Sequence, residues 1–191
     1  MSVRAISVVG LALATSILLA GCAPSYDSQL LENKANSAAF EEAVLEETGQ
    51  DVNVTLSGSG FGMTTSVDDP ADAGVLGVQI AEVFAESELA GRQFNVQFTA
   101  RDGHFSWSGY DASDSDRFVA ASDAWAAVTE IPGVQLVTHS PGSLVQGHEL
   151  QFVGTVATEA EIEPARAAII EIVTDAGFIY REDGVVVKAL E

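Results

Sequence analysis

The sequence predicts an α+β protein made of two similar αββαββ halves, with an antiparallel sheet and helices packed on one side. Three observations carry that expectation. Short runs alternate apolar and polar residues with period two, as half-buried strands do, and between them lie longer runs with apolar residues at helical spacing. Two Asp-Gly dipeptides, Asp102-Gly103 and Asp183-Gly184, stand 81 residues apart, each between strand-like runs. Phe40 and Phe118, in the first helix of each half, are offset by 78 residues, close to the same spacing. An internal repeat of one αββαββ unit accounts for both.

The elements follow in chain order. From about Ser37, Phe40, Val44 and Leu45 recur at helical spacing among Glu41, Glu42, Glu46 and Glu47, and Gly49 stops the helix. Val52 to Leu56 alternates as a strand, Ser57 to Gly62 reads as a turn, and Met63 to Val67 as a weaker strand. A second helix over Val75 to Leu89 presents Leu76, Ile80, Val83 and Phe84. Phe94 to Thr99 and His104 to Ser108 then form a hairpin. A two-residue Asp102-Gly103 loop of type I′ pairs Phe98 with Trp107 and puts Phe94, Val96, Phe98, Phe105 and Trp107 on one face.

The second half repeats this order. A helix over Ser113 to Glu130 places Phe118, Ser122, Trp125 and Val128 inward and stops at Pro132-Gly133. Strands follow at Val134 to Thr138 and Glu149 to Ala157. Thr158-Glu159-Ala160-Glu161 has the capping-box pattern and opens a helix that runs to Gly177, with Pro164 marking either its first turn or a later start. Phe178 to Glu182 and Val185 to Leu190 make the second Asp-Gly hairpin.

The amino terminus carries a different signal. A single basic residue, Arg4, precedes the apolar run Ala5 to Ala20, which is too short to span a bilayer comfortably and reads as a secretory h-region. Leu19-Ala20-Gly21-Cys22 at its end resembles the lipobox of bacterial lipoproteins. The resemblance implies cleavage before Cys22, a diacylglyceryl thioether on its sulfur and an acylated amino terminus. Under the family's usual sorting pattern, Ala23 rather than Asp after the cysteine argues against retention at an inner membrane. Small residues before a lone thiol suit that chemistry, and Cys22 is the chain's only cysteine, so no intrachain disulfide can form.

The expected organisation is therefore a signal peptide over residues 1–21, a lipidated tether over 22–37, a first half over 38–112 and a second half over 113–191. The mature chain of 170 residues would keep 7 Lys and Arg against 28 Asp and Glu, a formal charge of −21. Such a polyanion repels phosphate, so nucleic acid is excluded as a partner. Its apolar content of 47% supports a packed core. The expected location is extracytoplasmic, with the membrane as partner through the covalent lipid and an envelope protein or cell-wall component as second partner.

A second resemblance covers roughly Ser113 to Leu190. Pro132-Gly133-Val134, the strand Leu150 to Val156 with its Gly154-Thr155-Val156 ending, and the Ala-containing helix leading to Gly177 are similar to the BON domain pattern. The resemblance implies a domain of bacterial envelope proteins that binds a membrane surface or a partner rather than catalysing a reaction. In the first half the strand around Gly62 to Val67 lacks the Gly-Thr-Val ending.

Candidate chemistry is sparse. Gly58 to Gly62 has no Lys and no following helix, so it reads as a hairpin connection rather than a phosphate loop. His104, His139 and His148 lack helical ligand spacing, and no cysteine remains to complete a zinc site. Asp111, Asp114 and Asp116 are the candidate calcium ligands, and Asp68, Asp69 and Asp72 form a second cluster. The first cluster lacks the Gly and distal Glu of an EF-hand loop, and helix capping and solvation are the commoner uses of these residues. No nucleophile, base and oxyanion-binding group can be named. The favoured reading is a non-enzymatic envelope lipoprotein, and the alternative is a cell-surface enzyme or calcium-dependent binder using the acidic loops.

Overall fold

The computed structural model describes residues 26–57, 60–101, 103–110, 115–141, 150–179 and 184–190. Four helices, α1 (Tyr26–Thr48), α2 (Asp72–Glu86), α3 (Ser115–Thr129) and α4 (Ile162–Asp175), alternate with strands β1 (Asn53–Ser57), β2 (Gly60–Ser66), β3 (Gln93–Ala100), β4 (Gly103–Tyr110), β5 (Val134–Pro141), β6 (Leu150–Val156) and β7 (Val185–Ala189). The strands form one sheet in chain order. Each hairpin, β1–β2, β3–β4 and β5–β6, is antiparallel, and each join across a helix, β2–β3, β4–β5 and β6–β7, is parallel. The fold is α+β, as the patterning predicts, but the sheet is mixed: the antiparallel pairing expected throughout holds within each hairpin, and the three joins between hairpins and to β7 are parallel. A parallel join requires a crossover, and α2, α3 and α4 supply the three.

Alternation in the strands decides which face is covered. Phe61 and Met63 on β2, Phe94, Val96 and Phe98 on β3 and Phe105 on β4 are buried, whereas Thr64, Ser66 and Ser108 are exposed. The helices lie on the apolar face. Phe84 of α2 stacks on Phe94 at 4.4 Å and packs against Phe61 at 5.1 Å, while Phe105 meets Phe118 at 5.4 Å and Trp125 at 5.8 Å. Burial of this aromatic layer supplies much of the driving force for the sheet to form.

Helices α2 and α3 approach closely because their contact residues are small. Gly74 and Gly77 of α2 face Ser122 and Phe118 of α3, and a Cβ on Gly77 would stand 2.3 Å from Phe118 Cε1. Ala73 and Ala81 of α2 and Ala121 and Ala124 of α3 are also buried, beside the larger Ile80, Phe84, Trp125 and Val128.

Four further sequence expectations are corrected. Residues 26–37, read as tether, form the first half of α1. No Gly or Pro interrupts Tyr26 to Thr48, and Leu30, Leu31, Glu32, Lys34 and Ala35 are good helix formers, so propensity carries a segment whose periodicity is weak. Leu45, expected with Phe40 and Val44, points away from them and is 46% exposed.

The β3–β4 register is Phe98 opposite Phe105 and Val96 opposite Trp107, with Ala100 opposite Gly103. Gly103 therefore opens β4, with φ +146°, and is paired in the ladder. Cross-strand aromatic pairing sets this register, and because the slip is two residues the predicted faces survive.

Finally, Phe178 and Ile179 lie in no strand. Gly177, at φ +78°, donates its N–H to the Thr174 carbonyl, and Phe178 donates to the Val173 carbonyl, the Schellman pattern that closes α4. Phe178 is thus engaged in a helix cap, and β7 pairs with β6 instead. Residues 180–183 of the expected hairpin lie outside the described residues.

The helix start at Thr158 follows the sequence reading with one refinement. The Thr158 N–H and hydroxyl both donate to Glu161 Oε2, at 2.8 and 2.9 Å, across a 3₁₀ turn over Glu159–Glu161. Pro164 then occupies the first turn of α4.

Candidate functional site

The candidate residues scatter. Cys22, Asp111, Asp114 and His148 lie outside the described residues. Asp116 stands exposed in the first turn of α3, where a carboxylate complements the helix dipole. Asp68, Asp69 and Asp72 are exposed around the entry to α2, and Asp69 Oδ1 accepts the Ala71 N–H at 2.9 Å, a local turn bond. His104 is half-buried opposite Thr99, on the uncovered face of the sheet. The β5 backbone places His139 opposite Phe105 and Phe152. Of the glycine-rich segment, Gly60, Phe61 and Gly62 belong to β2 and pair with Ser57, Leu56 and Thr55. Among the described residues no three His, Cys, Asp or Glu side chains converge as metal ligands do.

What the fold brings together instead is surface. On the face away from the helices, Thr55, Gly62, Thr64, Asn95, Gln97, Ser106 and Ser108 line a shallow depression of about 230 Å³. These side chains are short, neutral and rich in hydroxyl and amide groups. Asn95 is fixed at both ends, its amide donating to the Phe61 carbonyl at 3.3 Å and its Oδ1 accepting the Gly109 N–H at 3.1 Å. Gly109, at φ +70°, is the extra residue of a β-bulge opposite Phe94 and Asn95. The lining of this depression can donate and accept hydrogen bonds and carries no titratable side chain, while His104 on β4 and Lys188 on β7 stand elsewhere on the same face.

On the helix side, α1 and α2 enclose a groove of about 490 Å³ with Phe40, Ala43 and Val83 at its floor and Glu46, Glu47, Glu86 and Glu88 at its rim. A wider depression of about 710 Å³ lies between the amino-terminal half of α1 and strand β1, lined by Leu30, Asn33, Lys34, Ala38, Val54 and Leu56 among others. Glu41 guards this edge. Its Oε1 accepts the Val54 N–H at 3.0 Å, occupying an edge-strand donor that would otherwise offer itself to a foreign strand.

Two further contacts fix α1 and were not legible in the sequence, since each joins residues far apart in the chain. Arg92 donates to Asn33 Oδ1 at 2.6 Å, pinning the amino-terminal half of the helix to the turn after α2. Gln50, just past the helix, donates to Thr65 Oγ1 at 3.1 Å and the Ser66 carbonyl at 2.8 Å. Among the described residues no helix is long and apolar enough to cross a membrane. Comparison with protein-family models and with curated proteins finds no match.

Proposed function

We propose that the chain is an extracytoplasmic lipoprotein, anchored through a lipid on Cys22, whose α+β domain binds an envelope component and catalyses no reaction. The observation that carries this reading is Leu19-Ala20-Gly21-Cys22 at the end of a charged and then apolar amino terminus, with the chain's sole thiol at the modified position. Three features of the domain support it. Helix α1 begins four residues after Cys22, so an anchored domain stands directly on the surface. One face of the sheet is left uncovered, and the depression across its strands β1 to β4 is lined by neutral hydroxyl and amide groups, a form suited to docking. The order α3–β5–β6–α4–β7 supports the BON-like resemblance of the second half, and the same order recurs in α1–β1–β2–α2–β3.

The strong negative charge serves solubility and holds the body of the domain off an anionic membrane. The test is crosslinking and recovery from native envelopes, comparing the anchored protein with the secreted Cys22→Ala form and with Thr64→Glu/Gln97→Glu, which places two charges on the open face. A partner captured by wild type and lost with the double variant supports the binding reading. Recovery of the same proteins by both would defeat the assignment of that face.

A further inference from the structure

The amino-terminal half of α1 stands out from the rest of the molecule. From Gln29, where side-chain burial is described, the first fully buried residue of the helix is Phe40, about 16 Å along the axis at 1.5 Å per residue. Among the described residues the Arg92 bond to Asn33 pins this segment on the way, and on one side Leu30 and Lys34 border the open depression shared with Val54 and Leu56 of β1. Beyond that pin lie Leu30 and Leu31, 56% and 69% exposed, the one adjacent pair among the exposed large apolar residues described. At about 100° per residue, Leu31 projects roughly opposite to Phe40, away from the core. Lys34, one turn on, shares their side of the helix and is the only basic residue of α1.

We propose that this overhang lies on the membrane, with Leu30 and Leu31 set into the boundary between headgroups and acyl chains and Lys34 among the lipid phosphates. The inference rests on the lipid-anchor reading of Cys22 and says where the domain touches the bilayer. Four residues from Cys22 to Tyr26 reach at most about 14 Å when extended, so an acylated sulfur holds the start of α1 at the interface. Leu30 and Leu31 are one turn further along, about 6–8 Å.

Charge separates the two ends of the same helix. Asp27, Glu32 and Lys34 in residues 26–37 nearly cancel, whereas residues 38–48 carry Glu41, Glu42, Glu46 and Glu47 with no basic residue. The acidic end begins about 15 Å further along the helix than Leu31, beyond a Debye length of roughly 8 Å, so an anionic surface repels it weakly while accepting the leucines and the lysine. Exposed apolar residues next to a snorkelling lysine are what an interfacial helix presents.

The experiment uses the acylated mature protein in vesicles of phosphatidylcholine and phosphatidylglycerol, with an environment-sensitive fluorophore placed through Leu31→Cys or, as a control on the same helix, Leu45→Cys. Mass spectrometry of the amino-terminal peptide accompanies each sample. The proposal predicts a blue-shifted label at position 31 that shallow spin-labelled lipids quench about twofold or more beyond the label at position 45. An acylated protein whose label at position 31 stays in water overturns the proposal and leaves the anchor reading standing. A peptide without lipid overturns the anchor reading itself. A label at position 31 that turns apolar without vesicles, as protein concentration rises, assigns the leucines to contact between copies and also overturns it.

Discussion

Replacing Gly77 by Ala should destabilise the domain although alanine is the better helix former. The added methyl would sit 2.3 and 2.4 Å from Cε1 and Cζ of Phe118 and 3.4 Å from Phe98 Cε2. Carbon atoms in contact prefer about 3.5–4.0 Å, so the overlap exceeds 1 Å. Phe118 is fully buried and boxed in by Phe98, Phe105 and Trp107, with ring centroids at 6.4, 5.4 and 5.9 Å. It cannot swing aside without unpacking them, and the alternative is to push α2 off α3. Overpacking of this kind costs about 1–3 kcal/mol, sometimes more. Alanine returns about 1 kcal/mol of helix propensity. An overlap above 1 Å against a ring with no room to move puts the cost at the upper end of that range, about 2–3 kcal/mol, so a net loss of about 1–2 kcal/mol follows, which for a domain of this size lowers Tm by roughly 2–8 °C.

Urea denaturation of the secreted Cys22→Ala form, with and without Gly77→Ala, measures it. Adding Phe118→Leu, which removes both clashing ring atoms, should make the Gly77 substitution nearly neutral in a double-mutant cycle. If Gly77→Ala alone is as stable as its parent, the close α2–α3 contact is wrong.

Three other perturbations probe different parts of the fold. Glu41→Ala removes the acceptor of the Val54 N–H and should cost about 1 kcal/mol while raising concentration-dependent association, whereas Glu41→Gln keeps an acceptor and should do less of both. Sedimentation beside denaturation reads the two effects. Gly177→Ala meets no atom of the described residues within 4 Å, so its cost of about 1–2 kcal/mol comes from the positive φ, and amide exchange should report fraying of the last turn of α4. Ser122→Ala deletes a fully buried hydroxyl that has no hydrogen-bond partner among the described residues and should stabilise the domain by about 0.5–1 kcal/mol, seen as a raised urea midpoint.

Much of the architecture was legible because the strands are half-buried. Phe94, Val96 and Phe98 alternate with polar residues, which fixes both the strand and the face that the helices cover. The parallel joins were not legible: period two marks a strand without saying which neighbour it takes, and the crossover helices decide that. The β3–β4 turn misled because Asp-Gly is a strong local signal and the aromatic pairing across the strands is stronger. Phe178 misled for a similar reason, since an apolar residue after Gly177 reads equally as a strand or as the hydrophobic end of a helix cap. The candidate surfaces were hidden more completely. The depression on the open face draws on four strands, β1 to β4, and its residues are ordinary polar positions until the sheet assembles them.

The most direct measurement of the central claim is mass spectrometry of the amino-terminal peptide of the mature protein isolated from its membrane, together with fractionation of wild type and Cys22→Ala. The account predicts a chain beginning at Cys22, carrying a thioether-linked diacylglyceryl group, in the membrane fraction, and a Cys22→Ala chain that is not acylated and leaves that fraction. A Cys22→Ala protein that remains membrane-bound and acylated, or a wild-type chain whose Cys22 is a free thiol, would contradict it.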